Sequence, residues 1–173
     1  MGLLFDIFKK KPEAAPAGIT VTEQAGVAIQ PIDGEIIPLA DIGDGVFSEG
    51  ILGQGVGLIP SSEAVYAPIS GTISTVTETK HAVGIEGDGV EMLIHVGLET
   101  VSMNGKGFQV KVKEGDKVKA GQLLYTFSMA EIQKAEGVST TSAVLVTNSD
   151  DLPNFEVLRT GTGKAGEPLF KVC

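Results

Sequence analysis

Two histidines carry most of the neutral-pH chemistry available to this chain: His95, in the apolar run GVEMLIHVGLETV over residues 89–101, and His81, in TETKHAVGI over 77–85. Between them stands Gly87-Asp88-Gly89, a turn signal. A three-residue hairpin loop with glycine in the left-handed position sets Glu86 opposite Val90, Val83 opposite Leu93 and His81 opposite His95. Opposed Cβ atoms lie about 4.5–5.5 Å apart, so this register puts both imidazoles on one face. Side chains alternate with a period of two, so a loop one residue longer or shorter would separate them.

A neutral imidazole is a nucleophile near pH 7. It can take a phosphoryl group on one ring nitrogen while a hydrogen bond at the other fixes the tautomer. A second histidine and nearby backbone amides can then stabilise the phosphoryl oxygens. An apolar rim of Val83, Leu93 and Val96 would keep water from the labile N–P bond. Three other readings compete. A lone histidine in an apolar strand is ordinarily a core residue satisfied by backbone. Two histidines with Glu99 or Asp44 would approach the three protein ligands of a catalytic zinc site. Residues 112–121 do resemble a strand of some cell-wall zinc peptidases, but the His-x-His pair those enzymes need is absent. Finally, residues 67–73 resemble the opening strand of biotinyl or lipoyl carriers. The nearest lysine, Lys80, is not at the predicted hairpin tip. Residues 53–57 are glycine-rich but precede no helix pattern, so they read as a turn rather than a nucleotide loop.

These side chains must be positioned by strands. The composition is 42% hydrophobic and 20% charged, as in a folded domain, with 23 glycines punctuating short Val, Ile and Thr blocks. The expected fold is an all-β, antiparallel sandwich or barrel. Two internal echoes suggest a duplicated motif: residues 31–36 resemble 68–73, and 119–125 resemble 164–170. Ser128 to Glu136 is the one short helix candidate, and residues 150–155 form a loop or single turn. A net charge of −9 argues against nucleic acid and suits a basic partner. The single cysteine, Cys173, excludes an intrachain disulfide. With no signal peptide or membrane-spanning run, a cytoplasmic location is expected. Residues 1–18 read as a tail and 19–173 as the domain. In the tail, Leu3, Leu4, Phe5, Ile7 and Phe8 precede three lysines, a pattern suited to weak contact with an anionic membrane surface.

At this level of detail a family resemblance emerges. The run Gly89, Met92, Leu93, Ile94, His95, Val96, Gly97, Leu98, Thr100 and Val101 fills each fixed place of the active-site signature of the glucose-type enzyme IIA family. That family serves the bacterial phosphoenolpyruvate-dependent sugar phosphotransferase system. The similarity extends over nearly the whole chain, including residues 34–36, 47–51, 67–71, 78–82 and 105–108. The resemblance implies that His95 is the phosphorylated residue and that His81 stabilises the phosphoryl group. It also implies that Thr79 orients His81 and that the Gly97 carbonyl holds the nucleophilic ring. Val46, Phe47 and Ile51 match the apolar docking surface, flanked by Asp44 and Glu99, and Val83 and Val96 of the apolar rim are expected on the same partner face. The implied partners are the histidine phosphocarrier protein, the IIB domain of a sugar permease, and regulatory targets of the kind some members have. No cofactor is required, though His81 and His95 are candidate ligands for adventitious zinc. Departures are few: the hairpin loop is one residue shorter than in many relatives, Glu99 replaces an aspartate, and Thr77 replaces an aromatic. A monomer is expected.

Overall fold

The computed structural model describes residues 18–172. Cys173 and all but the last residue of the 1–18 tail therefore lie outside it. Short segments, alternating in burial in β2 and β7 and continuously buried in β11, give fourteen strands: β1 (Val27–Ile29), β2 (Gly34–Pro38), β3 (Gln54–Pro60), β4 (Ala64–Tyr66), β5 (Gly71–Val76), β6 (Ala82–Gly87), β7 (Val90–His95), β8 (Phe108–Val110), β9 (Lys117–Val118), β10 (Leu123–Phe127), β11 (Ser142–Val146), β12 (Glu156–Val157), β13 (Gly161–Gly163) and β14 (Pro168–Lys171). The one α-helix among the described residues, α1 (Met129–Lys134), lies inside the segment expected to be helical. Its first turn is capped by Ser128, whose hydroxyl accepts the Glu131 amide at 3.2 Å.

All strand pairs are antiparallel. The large sheet runs β13-β2-β3-β11-β7-β6-β5-β9, and two three-stranded sheets run β1-β14-β12 and β4-β10-β8. The all-β, antiparallel expectation therefore holds. The order also reveals the duplication. Strands β1, β2, β3, β11, β12, β13 and β14 occupy the same relative places as β4 to β10, so the second unit is inserted between β3 and β11 of the first. Registers agree with this. Ala28 pairs with Phe170 as Val65 pairs with Tyr125, and Gly34 pairs with Gly163 as Gly71 pairs with Val118. Both sequence echoes fall on equivalent strands. The two units meet at the central pair β7·β11.

The large sheet buries its two faces differently. Val56, Leu58, Val83, Ile85, Met92, Ile94, Val144 and Val146 belong to the main core. A smaller cluster of Leu39, Ile42, Phe47, Ala143 and Leu145 lies on the other face, with Leu93 and Leu98 packed against it. Two short 3-10 helices in the β2–β3 connection, Leu39–Ile42 and Phe47–Glu49, cover that face.

Two expectations are corrected. Residues 54–57 are not a turn but half of β3. Gly57 is a glycine because a Cβ there would lie 2.7 Å from Ile37 and 2.8 Å from Ile42, so the bare strand admits the covering helix. The β6–β7 hairpin has a two-residue loop, not three. Asp88 and Gly89 have φ of 50° and 80°, as a type I′ turn requires, and Glu86 faces Glu91.

Candidate functional site

The corrected register pairs His95 with Ala82, not His81. Regular pleating would then aim the two imidazoles at opposite faces. They nevertheless touch, with ring centroids 4.6 Å apart and planes at 77°. The reason lies just before β6. Lys80 sits at φ 63° and turns the chain out of the pleat, so His81 precedes the strand and escapes its alternation. Its carbonyl is tied down twice, by the Val96 amide at 2.8 Å and the Tyr125 hydroxyl at 3.2 Å. The ring is held by Thr79, whose Oγ1 lies 2.7 Å from His81 Nδ1.

His95 ends β7 on the face of the smaller cluster. Along its cross-strand row stand Gly57, Ala143 and Ala82, all small. This row leaves room for the 3-10 helices to fold over the sheet, and Phe47 comes edge-on to His95 at 4.8 Å between centroids. Asp44 holds that loop together. Its carboxylate accepts the amides of Val46, Phe47 and Ser48 at 3.2, 3.1 and 3.0 Å. Burial pushes the Asp44 carboxyl up, but these amides outweigh it and leave the group below its ordinary value.

His95 Nδ1 lies 3.0 Å from the Gly97 carbonyl, which can only accept. Nδ1 therefore carries the proton, and Nε2 keeps a free lone pair. Gly97 has φ 78°, and a Cβ there would fall 2.4 Å from the Thr100 methyl and 2.6 Å from the Ser139 carbonyl. No other residue fits. Burial, then the neighbouring His81, push the His95 ring down to about 4, against the opposing pulls of Gly97 and Asp44. Burial also lowers His81, opposed by a hydrogen bond with the Thr79 backbone. Both rings are thus neutral at pH 7, as a nucleophile must be.

Thus the structure brings together His81, His95, Thr79, Gly97, Phe47 and, through the Phe47 loop, Asp44. Val46 and Ile51 are exposed on the same loop as Phe47, and Glu99 is exposed beyond β7. Val83 and Val96 were expected on the partner face, but both are 0% exposed and belong to the main core. Val83 lies opposite Ile94 on the inner face, a direct result of the shorter loop. Sequence reasoning missed Tyr125 and Ser142, whose hydroxyls act on backbone far away in sequence, a relation no local pattern carries. Among the described residues no three His, Cys, Asp or Glu side chains are grouped to hold a metal. No described helix is long and apolar enough to cross a membrane.

Comparison with known proteins agrees with this geometry. Residues 27–152 match the family model described as phosphoenolpyruvate-dependent sugar phosphotransferase system, EIIA 1. The chain is 42% identical to the PTS system glucose-specific EIIA component of Halalkalibacterium halodurans, covering 95% of this chain and 92% of that one. It is 41% identical to the beta-glucoside-specific EIIBCA component of Bacillus subtilis over 81% of this chain but 23% of that longer protein, in which the IIA part is joined to B and C parts. The solved glucose permease IIA from Mycoplasma capricolum superposes with a TM-score of 0.78 at 35% identity, covering 88% of this chain and 98% of that one. The chain therefore belongs to the EIIA family of the phosphoenolpyruvate-dependent sugar phosphotransferase system, a family of phosphoryl-carrying transferase components.

Proposed function

We propose that His95 Nε2 is the atom that carries the phosphoryl group, taken from the histidine phosphocarrier protein and passed to the IIB domain of a sugar permease. The observation that carries this reading is the Nδ1 contact with the Gly97 carbonyl beside a second imidazole. In the transfer, the Nε2 lone pair forms a new N–P bond as the donor's N–P bond breaks and its electron pair returns to the donor ring. Discharge reverses these roles toward the nucleophile of the IIB domain. His81 supplies a hydrogen bond to the phosphoryl oxygens. For this the Thr79 hydroxyl donates to Nδ1 and leaves an N–H at Nε2. Val46, Phe47 and Ile51 form the apolar docking surface, with Asp44 and Glu99 beside it facing a basic partner.

No cofactor is needed for this chemistry. Two imidazoles supply half of a tetrahedral zinc shell, so zinc would bind at His81 and His95 only with ligands from a partner. In this reading the protein is a cytoplasmic monomer whose domain spans 19–173. Its 1–18 tail makes weak contact with the membrane surface, and its unphosphorylated docking face is available to regulatory targets.

The test is intact mass after incubation with phosphoenolpyruvate, enzyme I and the phosphocarrier protein. Wild type should gain one acid-labile phosphoryl group and His95→Gln none. His81→Gln should accept the group but pass it on slowly. No added mass on wild type, with active upstream proteins, would overturn the reading.

A further inference from the structure

The Gly97 carbonyl sets the tautomer of His95, so whatever fixes that carbonyl sets the nucleophile. Two consecutive peptides are involved. The Val96–Gly97 peptide is gripped at both ends by buried hydroxyls. Thr100 Oγ1 donates to the Val96 carbonyl at 2.6 Å, and Ser142 Oγ accepts the Gly97 amide at 3.0 Å. The next peptide is gripped at its amide end, where Leu98 donates to the Ser139 carbonyl at 2.9 Å. Its remaining polar atom is the Gly97 oxygen, which points at His95 Nδ1.

Ser142 and Thr100 are both 0% exposed. Ser142 donates its own proton to the Thr140 carbonyl at 2.8 Å, so its oxygen faces Gly97 as an acceptor. It belongs to β11, the strand across the central pair from β7, and thus reaches the site from the other unit of the duplication. We infer that Ser142 is a positioning residue for His95, acting with Thr100 as a hydroxyl clamp that aims the Gly97 carbonyl and thereby holds the nucleophile in its Nδ1–H form.

Without the Ser142 hydroxyl, the Gly97 amide is buried with no acceptor, and the peptide gains by rotating. That rotation changes the backbone angles on either side of the peptide and so re-aims the adjoining Gly97–Leu98 peptide, taking its carbonyl off Nδ1 and freeing the ring to exchange tautomers. Outer partners that orient metal-ligating histidines are worth about 10–100-fold, and the clamp on His95 is placed on that scale.

The experiment uses the full chain, with nitrogen-15 NMR of the imidazoles at pH 7 and phosphoryl uptake measured in parallel. Wild type should show His95 protonated at Nδ1 and bare at Nε2. Ser142→Ala and Thr100→Val should each give averaged tautomers, with uptake about 10-fold slower at saturating phosphocarrier and KM unchanged. Thr100→Ser keeps the hydroxyl and should behave as wild type. Ser149→Ala is the control for simple loss of a buried hydroxyl, since Ser149 Oγ accepts the Gln54 amide at 3.0 Å far from the histidines. It should lower stability and leave the tautomer alone.

A single Nδ1–H tautomer in folded Ser142→Ala would overturn the inference, as would an equal tautomer change in Ser149→Ala. Should Ser142→Ala not fold, Thr100→Val against Thr100→Ser decides: identical tautomers in both end the clamp. The tautomer is read on the unphosphorylated chain, so its outcome is independent of whether His95 accepts the phosphoryl group.

Discussion

The two units of the duplication use equivalent positions for opposite ends. The strand registers carry β7 onto β11 so that His95 corresponds to Leu145. Leu145 is fully buried in the smaller cluster, and His95 stands at its margin. The connections differ as well. Between β2 and β3, residues 39–53 form two 3-10 helices. Between β5 and β6, residues 77–81 make a tight turn holding Thr79 and His81. The first connection folds back over the sheet to lay Phe47 on His95, and the second delivers the partner imidazole. The site thus exists only where the units break their symmetry. The repeat builds the platform, and its irregularities build the chemistry.

The largest expected effect breaks this contrast at its centre. Leu145→Ala empties a fully buried position and should cost about 3 kcal/mol, in the usual range for such truncations. His95→Gln, at the equivalent position, should cost less than about 1 kcal/mol, because the ring is partly exposed and glutamine fills a similar volume. Denaturant unfolding of both variants checks the pair. Equal losses would mean that His95 is as much a packing residue as Leu145.

Much of the platform was legible in the sequence. The echoes 31–36 with 68–73 and 119–125 with 164–170 marked the duplication, because each repeats a turn glycine before a buried strand. The hairpin was legible only in part. Asp88-Gly89 is by itself a strong two-residue turn signal, but the preceding Gly87 made a longer loop look equally good. That one-residue error moved Val83 from the core to the rim. It did not misplace the histidine pair, because the left-handed Lys80 breaks the alternation on which the expected pairing rested. Glycines at 55 and 57 read as a turn because sequence cannot tell a flexible glycine from one that makes room, at Gly55 for the backbone of β11 and at Gly57 for the covering helix. Ser142 and Tyr125 were illegible because they act through backbone remote in sequence.

A second contrast separates the units by pH. His95 has a folded pKa of about 4, against an ordinary value near 6.5 in the unfolded chain. Between these values the unfolded chain binds more protons than the folded one. The contribution is therefore fully present above about 6.5 and is lost as pH falls toward 4. Leu145 has no counterpart to this. His95→Gln should flatten the stability profile across that window, leaving the residual slope of His81, which is shifted in the same direction. Phe47→Ala should narrow the window by raising its lower edge, because it admits water to the ring. An unchanged profile in His95→Gln would assign the slope to other groups.

The smallest expected change in the fold comes from the irregular connection's outer surface. Ile51 is 69% exposed and Val46 46%, and Val101, beyond β7, is 53% exposed. Exposed aliphatics grouped on a loop that also touches His95 gain nothing for folding, and in the proposed reading their value lies in what docks there. Ile51→Ser should leave unfolding within about 0.5 kcal/mol of wild type. It should raise the KM for the phosphocarrier about 10-fold, the equivalent of 1.4 kcal/mol, with uptake at saturation unchanged. Leu158→Ser serves as the matched control, since Leu158 is 41% exposed beside β12, outside the functional loops. If both substitutions weaken docking alike, the contact depends on general surface hydrophobicity rather than on the connection that distinguishes one unit from the other. If Ile51 alone matters, the same insertion that shields His95 also presents it to its partners.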